Sequence, residues 1–506
     1  MSFACATSRA ASGLDAPLVR VEAQIANGLP AFGIVGLPET AVRESRDRVR
    51  GAIASACLAF PRARITVNLA PADLPKHGSR FDLPIAMAIL AASGQIEPGR
   101  LEGMEFLGEL SLDGALRPVA GVLPAAIAAT RAGHRMLVPS ANLTEASLPD
   151  GAIALGAAHL VDVAAHFAAG APLASSSAPP APVVEATDAP LDAIHGHAVP
   201  KRALVVAAAG GHNLLMAGPP GSGKTLLARC LPGLLPALTR SEALEVAAIA
   251  SIAGKPIGDR LPARPFRAPH HSASSAALVG GGGDPRPGEI TLAHRGVLFL
   301  DELPEFSRHA LETLREPLES GEVIVARARA RVRFPAAFQL IAAMNPCPAG
   351  QDCRGGVDCL CPPDAARRYR ARLSGPLLDR IDLHVRVPAV PIETLAAGMP
   401  GTQSRGRREH EDARRQVAEA RDRAVQRQGA INARLDPAAT ERHCRPDAAG
   451  LALLERAADR MRLSARGWHR CLRVARTLAD LEGRPQITRD QVAEALAYRE
   501  DATASR

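Results

Sequence analysis

The sequence predicts a multidomain α/β protein with an α+β N-terminal domain, a three-layer αβα core and an all-helical C-terminal lid. Residues 172–190 are rich in Pro, Ala and Ser and lack a hydrophobic period, which is typical of a linker. Apolar strands alternate with helical patterns beyond residue 213, as in a parallel sheet. Only helical patterns remain beyond about residue 389. The predicted boundaries are 1–170, a linker at 171–190, 191–388 and 389–506.

Short apolar runs and helical patterns alternate in the N-terminal part. Period-2 runs predict strands and period-3.6 runs predict helices. The predicted strands are 18–26, 31–37 and 64–71. The predicted helices are 40–56 and 83–94, followed by a hairpin from 105 to 121, another helix and another strand. This mixture predicts an α+β domain.

The composition is that of a globular protein, with 47% hydrophobic and 22% charged residues. The net charge of +8 favours a polyanionic partner. No apolar run reaches the roughly 18 residues that span a bilayer, and no signal peptide opens the chain. Nine Cys residues, an odd number, argue against a disulfide framework. We therefore expect a cytoplasmic protein without a membrane partner.

One segment carries the complete G-x-x-x-x-G-K-T pattern between an apolar strand and a helix. In that context the pattern predicts a P-loop that binds the phosphates of ATP with backbone N–H groups. Lys224 is predicted to reach the outer phosphates and Thr225 to bind Mg²⁺. The residues of the loop are Gly218, Pro219, Pro220, Gly221, Ser222, Gly223, Lys224 and Thr225.

A second apolar strand, VLFLDE, ends in two carboxylates. Paired with the P-loop, Asp301 is predicted to hold Mg²⁺ and Glu302 to orient the attacking water. Asn345 ends a third strand, LIAAMN, where its amide could contact the water or the γ-phosphate. The alternative for Asn345 is an ordinary Asn-Pro turn.

Four cysteines lie within 15 residues: Cys347, Cys353, Cys359 and Cys361. Four thiolates can form a closed tetrahedral zinc site that stabilises a loop without a core. The alternative is a loop with unliganded thiols. The spacing does not consist of two C-x-x-C pairs, so both interpretations stay open.

Together, GPPGSGKT, LFLDELPEF, LREPLESG, AAMNPCP and SGPLLDRIDLHV make the chain resemble the ComM/YifB group of magnesium-chelatase-like AAA+ ATPases. The resemblance extends to the C-terminal SARGWHRCLRVARTLADLEG. It implies a ring, expected to be a hexamer, with ATP at subunit interfaces. It also implies that Arg380 is the arginine finger for the neighbouring subunit and that Arg466 is the sensor-2 residue of the lid, with Arg470 as the second choice.

The resemblance further implies a β-hairpin before the strand that ends at Asn345, and EVIVARARARVRFPA (322–336) fits it. In one strand, alternate residues face the same way. We therefore expect a basic comb that contacts a DNA backbone, with a solvated strand face as the alternative. The comb consists of Arg327, Arg329, Arg331 and Arg333. The Gly-rich insert at 270–290 suggests a mobile pore loop.

Two segments, PKHGSRFDLPIA (75–86) and GELSLDGALRPVAGVLPAAIAA (108–129), make the N-terminal domain resemble the catalytic domain of Lon proteases. On that resemblance Arg80 occupies the nucleophile position and Leu123 the position of the catalytic Lys. Because Leu123 cannot act as a base, we interpret the domain as a protease fold without catalysis. Its loop with Lys76 could contact DNA or could simply be solvated.

The leading hypothesis is a hexameric ATP-driven branch-migration helicase that acts on foreign DNA during transformation and recombination. The DNA task depends on the resemblance, the basic charge and the arginine comb. The alternatives are a metal-chelatase motor subunit, a protein-remodelling AAA+ ATPase without DNA activity and an ATP-dependent protease. The replacements at Arg80 and Leu123 argue against the protease.

Overall fold

The computed structural model describes residues 2–36, 40–74, 76, 78–176, 189–258, 260–282, 286–327, 330–349, 361–362, 364–390 and 403–503. Within these ranges the N-terminal domain contains ten strands: β1 (Ser2–Arg9), β2 (Leu18–Ala26), β3 (Ala31–Val35), β4 (Arg64–Ala70), β5 (Met104–Phe106), β6 (Glu109–Leu110), β7 (Leu116–Arg117), β8 (Arg135–Pro139), β9 (Ala154–Ala157) and β10 (Ala174–Ser176). Eight of them form a mixed sheet in the order β10-β9-β8-β5-β1-β2-β4-β3, and β6 and β7 form a separate hairpin.

Helices accompany this sheet: α1 (Thr40–Ser55), α2 (Asp82–Ala92), α3 (Val122–Arg131), α4 (Leu143–Ala146) and α5 (Leu160–Ala169). Every residue of α2 is buried, as the uninterrupted apolar sequence after Asp82 predicts. The structure confirms the predicted strands and helices of this domain. It adds β1, whose inward residues are too small to produce a clear hydrophobic alternation.

The core contains β11 (Leu214–Ala217), β12 (Phe266–Arg267), β13 (Gly280–Gly281), β14 (Arg286–Pro287), β15 (Val297–Leu300), β16 (Glu322–Arg327), β17 (Ala330–Pro335), β18 (Gln339–Met344) and β19 (Leu383–Arg386). A five-stranded sheet has the order β12-β15-β18-β11-β19, and each neighbouring pair is parallel. The predicted parallel core is therefore confirmed. Because parallel strands end at the same edge, their carboxyl-terminal loops meet there.

The helices of the core are α6 (Ala198–Gly210), α7 (Lys224–Leu234), α8 (Arg240–Ile252), α9 (Ser275–Val279), α10 (Glu289–Leu292), α11 (Arg308–Glu312), α12 (Arg315–Ser320), α13 (Ala365–Arg370) and α14 (Gly375–Leu378). The lid contains α15 (Gln403–Gln428), α16 (Pro437–His443), α17 (Ala448–Met461), α18 (Ala465–Leu481) and α19 (Arg489–Thr503). Among the described residues of the lid, all the regular elements are helical, as predicted. No helix in the described ranges combines the length and apolarity that a bilayer crossing requires.

The predicted linker is only partly a connecting segment. Residues Ala174–Ser176 pair antiparallel with β9 and extend the N-terminal sheet. Residues 177–188 lie outside the described part of the chain, and Leu191 is already buried in the core. The linker was predicted to begin too early because composition does not reveal β10. Backbone pairing with a sheet edge does not require apolar side chains.

The N-terminal domain packs against α8 of the core. Leu123 and Leu148 share an apolar cluster with Ala247 and Leu261. The backbone N–H of Gly121 also donates to the carbonyl oxygen of Ser251 at 3.0 Å. The contact joins the two domains through both apolar burial and hydrogen bonding.

Candidate nucleotide site

The loop between β11 and α7 has the backbone conformation that a phosphate cradle requires. Gly221 and Gly223 have φ values of +73° and +84°, which glycine adopts without steric cost. A Cβ atom on Gly218 would lie 2.1 Å from the carbonyl oxygen of Val387. Helix α7 begins at Lys224, and its first N–H groups have no partner within the helix. The loop therefore fits phosphate oxygens.

Lys224 connects this loop to the adjacent strand β18. Its Nζ donates to the carbonyl oxygens of Gly218 and Pro219 at 2.8 Å each and to Oδ1 of Asn345 at 3.3 Å. Burial lowers the pKa of Lys224, although the nearby carboxylates of Asp301 and Glu302 act in the opposite direction. The structure thus brings the predicted lysine and asparagine together.

The hydroxyl of Thr225 donates to Oδ2 of Asp301 at 2.8 Å. The other oxygen, Oδ1, accepts from the backbone N–H of Glu302 at 2.9 Å. Hydroxyl and carboxylate oxygens are ligands that Mg²⁺ prefers, so Thr225 and Asp301 fit a magnesium ion. Glu302 itself has φ +50°, a conformation that is uncommon for a residue with a Cβ atom.

Two histidines near this edge were not predicted as site residues. Nε2 of His197 is buried without a hydrogen-bond partner in the described part of the chain. A Cβ atom on Gly223 would lie 4.0 Å from it, and burial lowers the pKa of His197. Nδ1 of His271 lies 2.9 Å from Oε2 of Glu302. Neither histidine belongs to a motif that sequence analysis could use.

The predicted arginines lie elsewhere, around a cavity of about 730 Å³ between the core and the lid. Five arginines line it: Arg380, Arg434, Arg466, Arg470 and Arg473. Asn213 and Asp382 also line it, and both residues precede strands of the sheet. The cavity therefore lies at the amino-terminal edge of the sheet, and the structure does not place Arg466 beside Lys224.

Within this cavity Arg380 is almost fully buried. Its guanidinium forms an ion pair with Glu319 and donates to the carbonyl oxygen of Pro376. Arg470 lies 3.4 Å from Asp382. Nε of Arg380 and Nη1 of Arg470 are buried without hydrogen-bond acceptors among the described residues. Buried donors of this kind favour an anionic ligand.

The arginine-rich segment forms the expected hairpin, but the comb is wrong as predicted. The register pairs Ala326 with Arg331 and Arg327 with Ala330. Arg331 is exposed on the face opposite to the buried Val332. Arg327 lies on the partner strand, at a register position that belongs to the other face of the hairpin. Arg327 and Arg331 therefore belong to different strands and do not form one row. Arg333 is exposed beside Arg331, and Arg329 lies outside the described residues.

The prediction that Lys76 contacts DNA is wrong. Its side chain is 0% exposed, and Nζ donates to the carbonyl oxygen of Pro71. Burial lowers the pKa of Lys76. Leu123 is also buried, and Arg80 donates to the carbonyl oxygen of Ala120. The Lys76 side chain turns back to the carbonyl oxygen of Pro71 instead of extending into solvent.

The cysteine cluster is only partly described. Cys347 is buried and Cys361 is partly exposed, whereas Cys353 and Cys359 lie outside the described residues. Within the described ranges no group of three or more His, Cys, Asp or Glu residues is arranged to hold a metal ion. The structure does not support zinc, and the four-cysteine site stays a prediction from the sequence.

A parallel sheet whose carboxyl edge carries a P-loop, an Asp-Glu strand end and an Asn defines an AAA+-like P-loop core. Three regions match families of one kind: residues 190–395 match "Magnesium chelatase, subunit ChlI", residues 21–142 match "Subunit ChlI of Mg-chelatase", and residues 408–499 match "Magnesium chelatase, subunit ChlI C-terminal". This is a family of AAA+ ATPases.

Relatives that align over nearly the whole chain show to which group of this family the chain belongs. The chain is 48% identical to Competence protein ComM of Haemophilus influenzae over 505 residues, covering 99% of this chain and 98% of the relative. It is 46% identical to Uncharacterized protein YifB of Escherichia coli over 501 residues, covering 99% and 97%. Uncharacterized protein Rv2897c of Mycobacterium tuberculosis is 46% identical over 508 residues, covering 99% of both chains. The chain belongs to the ComM/YifB group of magnesium-chelatase-like proteins.

Proposed function

We propose that this protein is an ATP-driven ring motor, expected to be a hexamer, that acts on DNA as a branch-migration helicase in transformation and recombination. The observation that carries the ATPase is the meeting of Lys224, Thr225, Asp301 and Asn345 at one sheet edge. The name of the Haemophilus relative, a competence protein, supports the task.

Each residue of this edge has a separate role in hydrolysis. Lys224 donates to the outer phosphate oxygens, and Thr225 and Asp301 hold the magnesium ion. When bound, Mg²⁺ neutralises charge that develops between the phosphates. Glu302 accepts a proton or hydrogen bond from the attacking water, and the amide of Asn345 orients that water.

Arg380 and Arg466 serve the nucleotide of a neighbouring subunit in this proposal. Both line the cavity at the sheet edge away from the P-loop. A guanidinium stabilises charge on the transferred phosphoryl group, and the unpartnered Nε of Arg380 is available for such a bond. Hydrolysis then requires a ring.

Arg331 and Arg333 provide the DNA contact. Their guanidinium groups extend from the exposed face of the β16–β17 hairpin, opposite to the buried Val332 and Phe334. Arg333 is 69% exposed even though it lies 3.3 Å from Glu322. Basic side chains that are spaced along a strand can follow a phosphate backbone.

A chelatase-type or protein-remodelling motor is the second candidate. The match of residues 190–395 to the magnesium-chelatase ChlI subunit supports it. A Lon-like protease is not a candidate, since Leu123 and Arg80 cannot form a base and nucleophile pair. The Lon-like origin of the N-terminal domain stays a prediction.

The test is the rate of ATP hydrolysis with and without four-way-junction DNA at two salt concentrations. We expect stimulation that declines at the higher salt, because phosphate contacts release counterions. Hydrolysis that ignores every DNA structure would reject the DNA motor and favour the protein-remodelling motor.

A further inference from the structure

A group of arginines lies on the surface outside the nucleotide motifs and the β16–β17 hairpin. Arg308, Arg367 and Arg368 are exposed, and their guanidinium groups form no hydrogen bond or ion pair with any described residue. Arg372 lies beside them and is also exposed. We call these four residues the arginine cluster. None of them was predicted from the sequence as a site residue.

The order of the strands brings the cluster together. Arg308 begins α11, which follows β15, and Arg367 and Arg368 belong to α13, which follows β18. β15 and β18 are parallel neighbours, with Leu300 opposite Ala342. Because parallel strands end at the same edge of a sheet, α11 and α13 both lie at its carboxyl edge.

Arg372 connects the two segments. Its Nη1 donates to Oε2 of Glu305 at 2.8 Å and to the carbonyl oxygen of Pro304 at 3.3 Å. The Arg372 side chain is still 55% exposed. Glu305 is therefore already paired, and its charge does not offset that of the other three arginines.

A buried tyrosine fixes the orientation of α13. Tyr369 is 4% exposed and packs in the apolar cluster that contains Phe306. The backbone of Asn345 forms a hydrogen bond with its hydroxyl. Because Tyr369 is directed inward, Arg367 and Arg368 stay on the exposed side of the helix.

The cluster lines a surface cavity of about 640 Å³. Arg308, Arg368 and Arg372 contribute to its lining, and Glu305 is the one carboxylate among the described residues around it. Guanidinium groups match phosphate oxygens with two parallel hydrogen bonds. The cavity therefore offers positive charge and donors that suit phosphate groups.

The same surface lacks the anchors of a protein interface. In segments 303–312 and 365–373, both within the described ranges, no large apolar side chain is exposed. Protein interfaces depend on apolar and aromatic anchors, whereas contacts with nucleic acids depend on cations that meet phosphates. The surface thus favours a nucleic acid over an acidic protein.

The cluster and the hairpin are separate basic surfaces. The hairpin leads into β18 at its amino end, and α13 follows the carboxyl end of the same strand. β18 has six residues and spans about 20 Å. A duplex that contacts both surfaces must therefore extend over about six base pairs.

We propose that the arginine cluster is a second contact for the phosphate backbone of DNA, distinct from the hairpin. The inference rests on the proposed DNA motor and deepens it, because each subunit then holds DNA at two places. A four-way junction has several duplex arms, so the second contact can hold an arm that the hairpin does not reach.

The experiment measures the affinity of the full chain for labelled four-way-junction DNA by fluorescence anisotropy at several salt concentrations. Changing Arg308 and Arg368 to Ala should reduce the slope of log affinity against log salt by about 1.4 to 1.8. Combining these changes with Arg331→Ala and Arg333→Ala should reduce it by about 2.8 to 3.6. Changing Arg308 and Arg368 to Lys keeps the charge and should keep the slope.

The matched control is the change of Arg131 and Arg135 to Ala, which removes the same charge from another exposed surface. A slope for the Arg308 and Arg368 double Ala variant equal to that of the wild type or of this control would overturn the inference. A quadruple variant that loses no more slope than the hairpin variant would overturn it as well.

Further outcomes separate this failure from failure of the proposed function. If the wild type binds no DNA, the DNA motor is wrong and the second contact fails with it. If the hairpin variant changes the slope and the cluster variant does not, only the second contact is wrong. Mass photometry counts the subunits of each ring. Fewer complete rings with an unchanged slope would make the cluster a contact between subunits instead.

Discussion

Arg380 and Lys224 lie at opposite edges of the same parallel sheet. Nδ2 of Asn213, the residue before β11, donates to the carbonyl oxygen of Arg380 at 3.0 Å. Lys224 opens the helix after the other end of β11, a strand about 13 Å long at 3.3 Å per residue. Arg380 therefore cannot serve the phosphate site of its own chain.

Rings assembled from two different variants should show that Arg380 acts on the site of a neighbouring subunit. Arg380→Ala should bind ATP but not hydrolyse it, and Lys224→Ala should do neither. Because a Lys224→Ala subunit still carries Arg380, it can complete the site of an Arg380→Ala neighbour. We expect the mixture to recover a measurable part of the wild-type rate in a phosphate-release assay.

A mixture of Lys224→Ala with Glu302→Gln is the control. Both residues belong to the site of one chain, so no subunit in that mixture has a complete site. Equal recovery in the two mixtures, or none in either, would show that Arg380 does not act between subunits.

Glu302→Gln should separate nucleotide binding from hydrolysis. The amide keeps the size of the side chain but cannot accept a proton from the attacking water. We expect hydrolysis to fall about 100-fold or more, with affinity for a fluorescent ATP analogue retained. A wild-type rate of phosphate release would remove Glu302 from the mechanism.

The two exposed arginines of the hairpin should control DNA affinity. Changing Arg331 and Arg333 to Ala should weaken binding and reduce the slope of log affinity against log salt by about 1.4 to 1.8. Basal ATP hydrolysis should stay unchanged. Fluorescence anisotropy with labelled DNA at several salt concentrations measures both effects.

The control for the hairpin is a second pair of exposed arginines, Arg131 and Arg135 in the N-terminal domain. Their change to Ala removes the same charge but leaves the hairpin intact. A salt slope that falls equally in both double variants would show that net charge, rather than the hairpin, binds DNA.

The stability of the core should decrease in acid. His384 in β19 is 3% exposed, and burial lowers its pKa to about 3, against about 6.5 in an unfolded chain. Below pH 6.5 the unfolded chain binds a proton that the folded protein excludes. Stability is therefore present above that pH and is lost as pH falls towards 3. Between pH 7.5 and 5.5 the loss is about 1.4 kcal/mol.

Urea unfolding followed by the fluorescence of Trp468 measures this loss. Trp468 is the single tryptophan of the chain and packs against the core. Over the same pH interval, the free energy of unfolding of His384→Leu should decrease by about 1.4 kcal/mol less than that of the wild type. Identical pH dependence in the two proteins would exclude His384 as the source.

The nucleotide site could be predicted because its parts are local. Gly221, Gly223 and Lys224 belong to one continuous loop motif, and Asp301 directly follows a continuous apolar strand. In a parallel sheet such strand ends must share an edge. At that edge the hydroxyl of Thr225 lies 2.8 Å from Oδ2 of Asp301.

Other features depended on contacts between distant segments. The burial of Lys76, the register between β16 and β17 and the cavity shared by Arg380 and Arg466 have no local pattern in the sequence. The approach of Nδ1 of His271 to Oε2 of Glu302 depends on how β12 pairs with β15. By itself, therefore, the sequence determined the residues of the candidate nucleotide site and the class of fold. Only the tertiary structure decided which charged side chains face solvent, a cavity or one another, because long-range packing sets those distances.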